Sequence, residues 1–353
     1  MCIRDRDFKR LINGSGKYKS WLTNIRRFKN HQLDEKSEQI LLDKNLTASS
    51  SWVRFFEEQI NDLKFNLDGK VLNSAGVLNL LSDHDEKIRK KAAESIESVF
   101  KSEVKTFTFI TNTLAKDKIT NDKWRRYSSP VDSRNLSNNV ENEVVEALTK
   151  SVTSNYKNIS HRYYELKRKW LGLETMQVWD RNAPLPMESD RLVTWDQAQT
   201  IVTDAYTNFD SRMSDLITPF FNKGWIDAGV KPGKAPGAFA HPTVTDVHPY
   251  IMLNYLGTPR DVMTLAHELG HGVHQVLASS KGQMLSSTPL TLAETASVFG
   301  EMLTFQQMLD NSTDKNERKV LLANKVEDMI KTVVTQIAFY DFECKLHDER
   351  KKG

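Results

Sequence analysis

The segment from Thr258 to Leu277 is apolar on most sides of a helix, yet it contains three histidines and two acidic residues. Thr258 suits the N-cap of that helix, Pro259 its first position and Asp261 its third. The apolar residues that follow recur with the period of a helix as far as Leu277. A helix that is apolar on most sides is stable only when it is buried. This segment therefore predicts a large domain built around an internal helix.

Two of the three histidines can face one point. His267 and His271 are four residues apart, so on a helix they lie about 40° apart around the axis, and Glu268 flanks the same face. Two neutral imidazoles can hold a zinc ion while a neighbouring carboxylate takes a proton from water at the metal. We therefore predict zinc ligands at His267 and His271 and a general base at Glu268. The alternative is two core histidines with a chance glutamate between them.

A third protein ligand distinguishes the classes of such zinc sites. A His-x-x-Gly-x-x-His pattern is excluded, because the chain has His274 and Leu277 where Gly and His would be needed. The other common choice is a glutamate from a second helix. Thr288, as N-cap, and Pro289 predict the start of such a helix, in which Glu294 lies in a segment that we expect to be mostly buried. A buried carboxylate needs a cation or a proton, which favours Glu294 as a ligand over a surface glutamate.

Two further residues near the motif are candidates for supporting roles. Glu301 follows Glu294 by two helical turns on nearly the same face, so it could accept a hydrogen bond from the second ring nitrogen of a ligand histidine. A solvated glutamate is equally compatible with the pattern. His274 lies two turns from His267, about 10 Å along the axis, which is too far for both to bind one zinc ion. We interpret His274 as a residue that lines the cleft or supports a ligand, and not as a ligand itself.

Five stretches of the chain together resemble one family of enzymes: residues 231–239, 248–255, 267–274, 293–297 and 337–343. They are similar to the oligoendopeptidase F branch of the thimet oligopeptidase family of zinc metallopeptidases, from about residue 10 to the end. The resemblance implies a mainly α-helical zinc endopeptidase that cuts short peptides inside a channel, with one Zn²⁺ per chain. It also implies zinc binding by His267, His271 and Glu294, and a general base at Glu268.

Periodicity along the rest of the chain agrees with a mainly α fold. Helical patterns occupy residues 18–171, with a helix predicted from residue 83 towards residue 114 and a loop rich in turn formers at residues 127–139. One long helix is predicted over residues 194–221, and one or two over residues 317–351. Two short strands, 238–242 and 250–255, precede the zinc helix. We predict a partial N-terminal helical lobe over residues 1–75 and a catalytic domain over residues 76–353, with a small β-sheet beside the zinc helix. Relative to the family we expect portions to be missing at both ends. The C-terminal one carries a substrate-facing histidine and tyrosines in that family.

The approach to the zinc helix contains the candidate substrate-binding residues. Residues 231–237 are too rich in Gly and Pro for a helix and fit neither phosphate-loop pattern, so we predict a loop that lines the substrate channel. If the strand at 250–255 has a free edge, an extended peptide could pair with it; ordinary structural pairing is the alternative. We predict that Gly237, Phe239 and Tyr250 contact substrate, together with His274.

Composition limits the partners. Of the 353 residues 39% are hydrophobic and 27% charged, and no apolar run approaches the ~20 residues that span a bilayer. A net charge of +3 predicts no nucleic-acid role. Cys2 and Cys344 provide no disulfide framework, and the N-terminus lacks a secretory apolar core. We expect a cytoplasmic protein that acts on oligopeptides, without membrane or nucleic-acid partners.

The predicted function is therefore zinc-dependent hydrolysis of short oligopeptides. Two alternatives remain open: a zinc carboxypeptidase of related helical fold, and a catalytically silent helical scaffold that binds metal or peptide. Cobalt or manganese could occupy the same ligands.

Overall fold

The computed structural model describes residues 5–187, 192–231, 234–235 and 237–352. The helices before residue 187 are α1 Asp5–Gly14, α2 Lys19–Arg27, α3 Glu35–Asn45, α4 Ser49–Asp62, α5 Ser74–Asn79, α6 Glu86–Ser102, α7 Val104–Arg125, α8 Asp132–Ser137, α9 Asn142–Ser154 and α10 Arg162–Trp170. The helices after residue 192 are α11 Trp195–Phe209, α12 Ser211–Asn222, α13 Pro259–Ser279, α14 Leu290–Asn311, α15 Lys315–Ile330 and α16 Gln336–Lys352. Short π-helical segments, Lys157–His161 and Lys331–Thr335, precede α10 and α16.

The chain divides into two compact units. The first comprises Met1–Arg27 and Ser189–Leu322, and the second comprises Phe28–Glu188 and Ala323–Gly353. The predicted division after residue 75 stays a prediction.

The core of the first unit gathers around α13. The buried residues of this helix pack against α11, α12 and the strand that precedes α13; they include Val262, Leu265, Ala266, Leu269 and Val273. The predicted start of the helix is confirmed: Thr258 is the N-cap, Pro259 follows it, and Thr258 and Asp261 form a reciprocal capping box. The internal helix predicted from the sequence is therefore present, and it begins at the predicted capping residues.

A three-stranded sheet lies against α13. Its strands are β3 Ile226–Asp227, β4 Phe239–His241 and β5 Tyr250–Met252, numbered after the hairpin strands β1 Phe65–Leu67 and β2 Lys70–Leu72 of the second unit. β5 is the central strand, parallel to β3 and antiparallel to β4. Of the two alternatives left open for residues 250–255, ordinary structural pairing is the one observed, because β5 is paired on both sides. The two-residue strand β3 was not predicted, being too short to show a period.

The second unit contains a small apolar core and two buried ion pairs. The core consists of Leu63, Phe65, Val77 and Ala92. Arg89 on α6 binds Asp180 at 2.7 Å, and Lys167 on α10 binds Glu327 on α15 at 2.7 Å. Each pair joins segments that are distant in the sequence.

Three predicted helical boundaries differ from the structure. Residues 194–221 form two helices, because Asp210 is extended and its carboxylate caps α12 by accepting from the Arg212 amide. The helix predicted from residue 83 towards residue 114 is interrupted at Glu103, whose backbone is not helical. Residues 127–139, predicted as loop, contain α8. The breaks at Asp210 and Glu103 each depend on one residue inside a continuous helical pattern.

The mainly α fold with a small sheet beside the internal helix is confirmed. Among the described residues, no helix combines the length and apolar character needed to cross a membrane. The cytoplasmic location and the lack of nucleic-acid binding stay predictions.

Candidate active site

Helix α13 presents His267 and His271 side by side. Their ring centroids are 5.0 Å apart and their planes are nearly perpendicular, at 84°. Both rings are largely covered by protein, and each directs Nε2 towards the same carboxylate on α14. The spacing of four residues thus gives the shared face that the sequence predicts.

Helices α13 and α14 approach closely enough for their backbones to touch. A Cβ atom at Gly270 would lie 2.5 Å from the carbonyl oxygen of Ala296, and one at Gly300 would lie 1.9 Å from the hydroxyl of Tyr206. These distances leave no room for a side chain at either position. The close packing brings the first turns of α14 against the turn of α13 that carries the histidines.

Glu294 joins the two histidines to form a three-residue cluster. Its Oε2 lies 3.3 Å from His267 Nε2 and 3.6 Å from His271 Nε2, and the three donor atoms lie within 4.8 Å of one another. Ligand atoms at about 2.0–2.2 Å from one tetrahedral zinc ion are about 3.3–3.6 Å apart. The distances to Glu294 therefore fit a zinc ion, and two imidazoles with one carboxylate are a usual donor set for zinc.

Glu301 contacts the other nitrogen of one histidine. His267 Nδ1 and Glu301 Oε2 are 3.2 Å apart, so a proton on Nδ1 would be donated to the carboxylate and Nε2 would keep its lone pair. Burial lowers the pKa of His267, but the surrounding carboxylates, above all Glu301, outweigh it and raise the pKa above 6.5. For His271 burial prevails and lowers the pKa, which favours the neutral ring that a metal requires.

Glu268 is a buried carboxylate with a free acceptor. The residue is 6% exposed, and its Oε2 has no hydrogen-bond partner among the described residues. Burial raises the pKa of Glu268 to about 7. A buried carboxylate oxygen without a partner is costly, so this atom fits a polar group that the chain does not itself supply. It is the kind of group that can exchange a proton with a reactant.

The surroundings of Glu294 differ from the sequence-based expectation. The segment is not mostly buried: the Glu294 side chain is 56% exposed, and Leu292 and Val298 are also exposed. The face of α14 that packs on α13 consists of small residues, so the larger apolar ones point elsewhere. The argument from burial is therefore wrong for Glu294, although Glu294 is close to both histidines. The N-cap of α14 is Pro289, not Thr288.

His274 lies outside the cluster. Its Nε2 is 3.4 Å from the hydroxyl of Thr288, in the segment before α14. The described metal-ligand group contains His267, His271 and Glu294 only.

The residues predicted to contact substrate lie on or beside the sheet. Phe239 on β4 and Tyr250 on β5 are both exposed, on the face opposite the buried Ile251. Gly237 precedes β4 with a φ of +85°, a conformation that favours glycine, and its carbonyl accepts from Asn254 at 3.0 Å. Residues 232, 233 and 236 of the predicted channel loop lie outside the described residues.

Three residues that shape the site escaped the sequence analysis: Tyr206, Ser297 and Gly300. Tyr206 is fully buried and donates to the carbonyl of Ala266, at 2.8 Å, one residue before His267. A glycine inside a helical pattern often marks close packing, so the role of Gly300 could have been predicted. The role of Tyr206 could not, because its hydrogen-bond partner is 60 residues away.

Two family models match this chain. Residues 79–353 match the model of peptidase family M3, and residues 3–65 match that of oligopeptidase F. Oligopeptidase PepF of Bacillus subtilis is 24% identical over 344 residues, which cover 95% of this chain and 51% of the relative. The oligoendopeptidase F homolog of Borreliella burgdorferi is 28% identical, over 92% of this chain and 55% of the relative. The chain thus spans about half the length of these relatives.

Solved structures share the fold. Oligoendopeptidase F from Enterococcus faecium superposes with a TM-score of 0.68 at 21% identity, over 99% of this chain and 58% of that one. PZ peptidase A superposes with a TM-score of 0.80 at 17% identity, over 98% of this chain and 62% of that one. Because the first family model covers more than half of the sequence, the chain belongs to peptidase family M3.

Proposed function

We propose that this chain carries the catalytic site of a zinc-dependent endopeptidase that hydrolyses short oligopeptides. The supporting observation is the spacing of His267 Nε2, His271 Nε2 and Glu294 Oε2, beside the unpaired carboxylate oxygen of Glu268. Membership of peptidase family M3 makes peptide hydrolysis the chemistry to assign to this arrangement. The activity of the longer relatives is extended to this chain as part of the proposal.

The proposed metal ligands are His267, His271 and Glu294, with one zinc ion per chain. A zinc ion at such a site supplies a Lewis acid, which acidifies water and polarises a carbonyl group. Glu301 holds the ring of His267 through Nδ1 and so directs Nε2 at the site.

Glu268 is the proposed general base. Its free Oε2 accepts a proton from the attacking water, and the same carboxyl group then donates that proton to the amine that leaves. Burial raises the pKa of this carboxyl group above its ordinary value, which favours acceptance of a proton by Glu268.

We propose that Phe239 and Tyr250, whose side chains are exposed on the small sheet, contact the substrate. Gln275 on α13 donates to the Ala240 carbonyl at 3.1 Å and so joins β4 to the helix of the histidines. We also propose that Gly237, and His274 beside the start of α14, contact the peptide.

The test uses the full chain with the Glu268→Gln and Glu294→Ala variants. We expect native mass spectrometry to find about one zinc per chain in the parent and in Glu268→Gln, and less in Glu294→Ala. A fluorogenic peptide blocked at both ends should be cut internally by the parent and about 10²–10⁴-fold more slowly by Glu268→Gln.

Glu57→Gln, at an exposed glutamate on α4, is the matched control and should keep the parental rate. Cleavage only at a free C-terminus would instead indicate a carboxypeptidase. Peptide binding without cleavage would indicate a silent scaffold, and normal cleavage by Glu268→Gln would refute the assigned base.

A further inference from the structure

We propose that Ser297 is a positioning residue that holds the carboxylate of Glu294 in its metal-binding orientation. The proposal rests on the zinc site proposed above and adds a residue outside the three ligands. Ser297 lies one helical turn after Glu294 on α14. Its hydroxyl oxygen is 2.8 Å from Glu294 Oε2 and 3.1 Å from the Glu294 carbonyl oxygen.

The carboxylate of Glu294 needs such a support. Its side chain is 56% exposed, so solvent would otherwise compete for it and several rotamers would be open. Oε2 is the oxygen that faces both His267 and His271, and it is also the oxygen that accepts from Ser297. A carboxylate oxygen has more than one acceptor direction, so both contacts are compatible.

The position of Ser297 is itself determined by packing. The residue is 0% exposed, and a Cβ atom on Gly270 of α13 would lie 2.8 Å from its Cα. Gly270 stands between His267 and His271 in the sequence, so the backbone contact between the two helices lies between the metal ligands. The buried hydroxyl cannot turn to solvent, and it meets its acceptors on Glu294.

A second buried hydroxyl on α14 provides a comparison, because it contacts only a backbone carbonyl and no proposed metal ligand. Thr304, two turns after Ser297, is also 0% exposed, and its Oγ1 lies 3.2 Å from the Gly300 carbonyl oxygen. This is a backbone acceptor within the helix, with no carboxylate involved. Thr304→Val therefore removes a buried hydroxyl from the same helix without touching the cluster.

The experiment compares zinc affinity in the parent chain and in Ser297→Ala, Thr304→Val and Glu294→Ala. Affinity is measured by competition with a chromophoric chelator, and circular dichroism verifies folding. We expect about tenfold to a hundredfold weaker binding in Ser297→Ala, the usual range for a residue that orients a ligand. Thr304→Val should stay within about twofold of the parent. The visible spectrum of the Co²⁺-loaded chain should change in Ser297→Ala and stay as in the parent in Thr304→Val.

Parental affinity and an unchanged cobalt spectrum in Ser297→Ala would overturn the role of Ser297 and leave the zinc site intact. Equal losses in Ser297→Ala and Thr304→Val would also overturn it, because packing alone would then explain both. If the parent bound no zinc, or Glu294→Ala bound it as well as the parent, the proposed zinc site would fail and Ser297 would have no ligand to position.

Discussion

At the scale of single residues, the cluster depends on which nitrogen of each histidine faces the carboxylates. His267 has a carboxylate on each side, with Glu294 at Nε2 and Glu301 at Nδ1. His271 faces Glu294 through Nε2, and Glu301 lies against His267 instead. The two rings are therefore held differently, and Glu301 should influence metal binding through its contact with His267.

We predict that Glu301→Gln weakens zinc binding by about tenfold. The amide keeps the shape of the side chain but removes the charge that strengthens the bond to the Nδ1 proton of His267. Chelator competition on the purified chain measures the change. Asp310→Asn, on the exposed side of the same helix, is the control and should bind zinc like the parent. An unchanged affinity in Glu301→Gln would mean that Glu301 is merely a neighbour.

At the scale of elements, the site depends on the contact between α13 and α14. Tyr206 on α11 fills the space next to Gly300 and donates to α13 at Ala266. Three helices thus meet within one residue of His267. A change in this contact should alter both stability and the distance between the two ligand-bearing helices.

We predict that Gly300→Ala lowers the free energy of unfolding by about 1–3 kcal/mol, through overpacking. In an exposed helix the same substitution would stabilise the fold by up to ~1 kcal/mol, because alanine has the higher helix propensity. The predicted effect of Gly300→Ala therefore has the opposite sign to the one expected from helix propensity. The reason is that the new Cβ would lie 1.9 Å from the Tyr206 hydroxyl and 3.1 Å from the Ala266 carbonyl oxygen. Urea unfolding followed by circular dichroism provides the measurement.

Gly14→Ala is the matched control for this substitution. Gly14 is the last residue of α1, and nothing lies within 4 Å of an added Cβ atom there. The free energy of unfolding of the Gly14→Ala chain should be unchanged or slightly raised. A Gly300→Ala chain as stable as the Gly14→Ala chain would show that α11 and α14 can separate at little cost.

At the scale of the whole molecule, buried ion pairs connect segments far apart in the chain. In the second unit Lys167 is 2% exposed and binds Glu327, 160 residues later, while Tyr163 donates to the same carboxylate at 2.7 Å. Burial raises the pKa of Glu327, but the ammonium groups of Lys167 and Lys331 outweigh this and lower the pKa below 4.5. The carboxylate is therefore charged in the folded chain at neutral pH.

We predict that the contribution of Glu327 to stability is present above about pH 4.5 and is lost as the pH falls through its lower folded value. Glu327→Gln should cost roughly 3–5 kcal/mol at pH 7, because it removes the carboxylate charge from the buried ion pair with Lys167. The difference from the parent should shrink near pH 3. Thermal unfolding at both pH values tests this, with Glu97→Gln of an exposed pair as the control. A difference independent of pH would assign the loss to packing.

Much of the site was predictable because its signals are local. The capping box at Thr258, the spacing of the two histidines and the apolar periodicity all act within one helix, and the structure reproduces that helix. The mainly α fold follows from the same kind of pattern. The break at Asp210 was harder to predict, since one capping residue interrupts a continuous helical pattern.

The capped helix of His267 and His271 follows from local sequence, because residues within a few positions of one another set helix propensity, capping and spacing. Three features follow only from packing between distant segments: the pairing of β5 on both sides, the exposed position of Glu294 close to both histidines, and the contacts of Ser297 with Glu294 and of Tyr206 with Ala266. These features depend on the approach of α11, α13, α14 and the strands. That approach is set by contacts between residues distant in the chain, so no local sequence pattern can predict it.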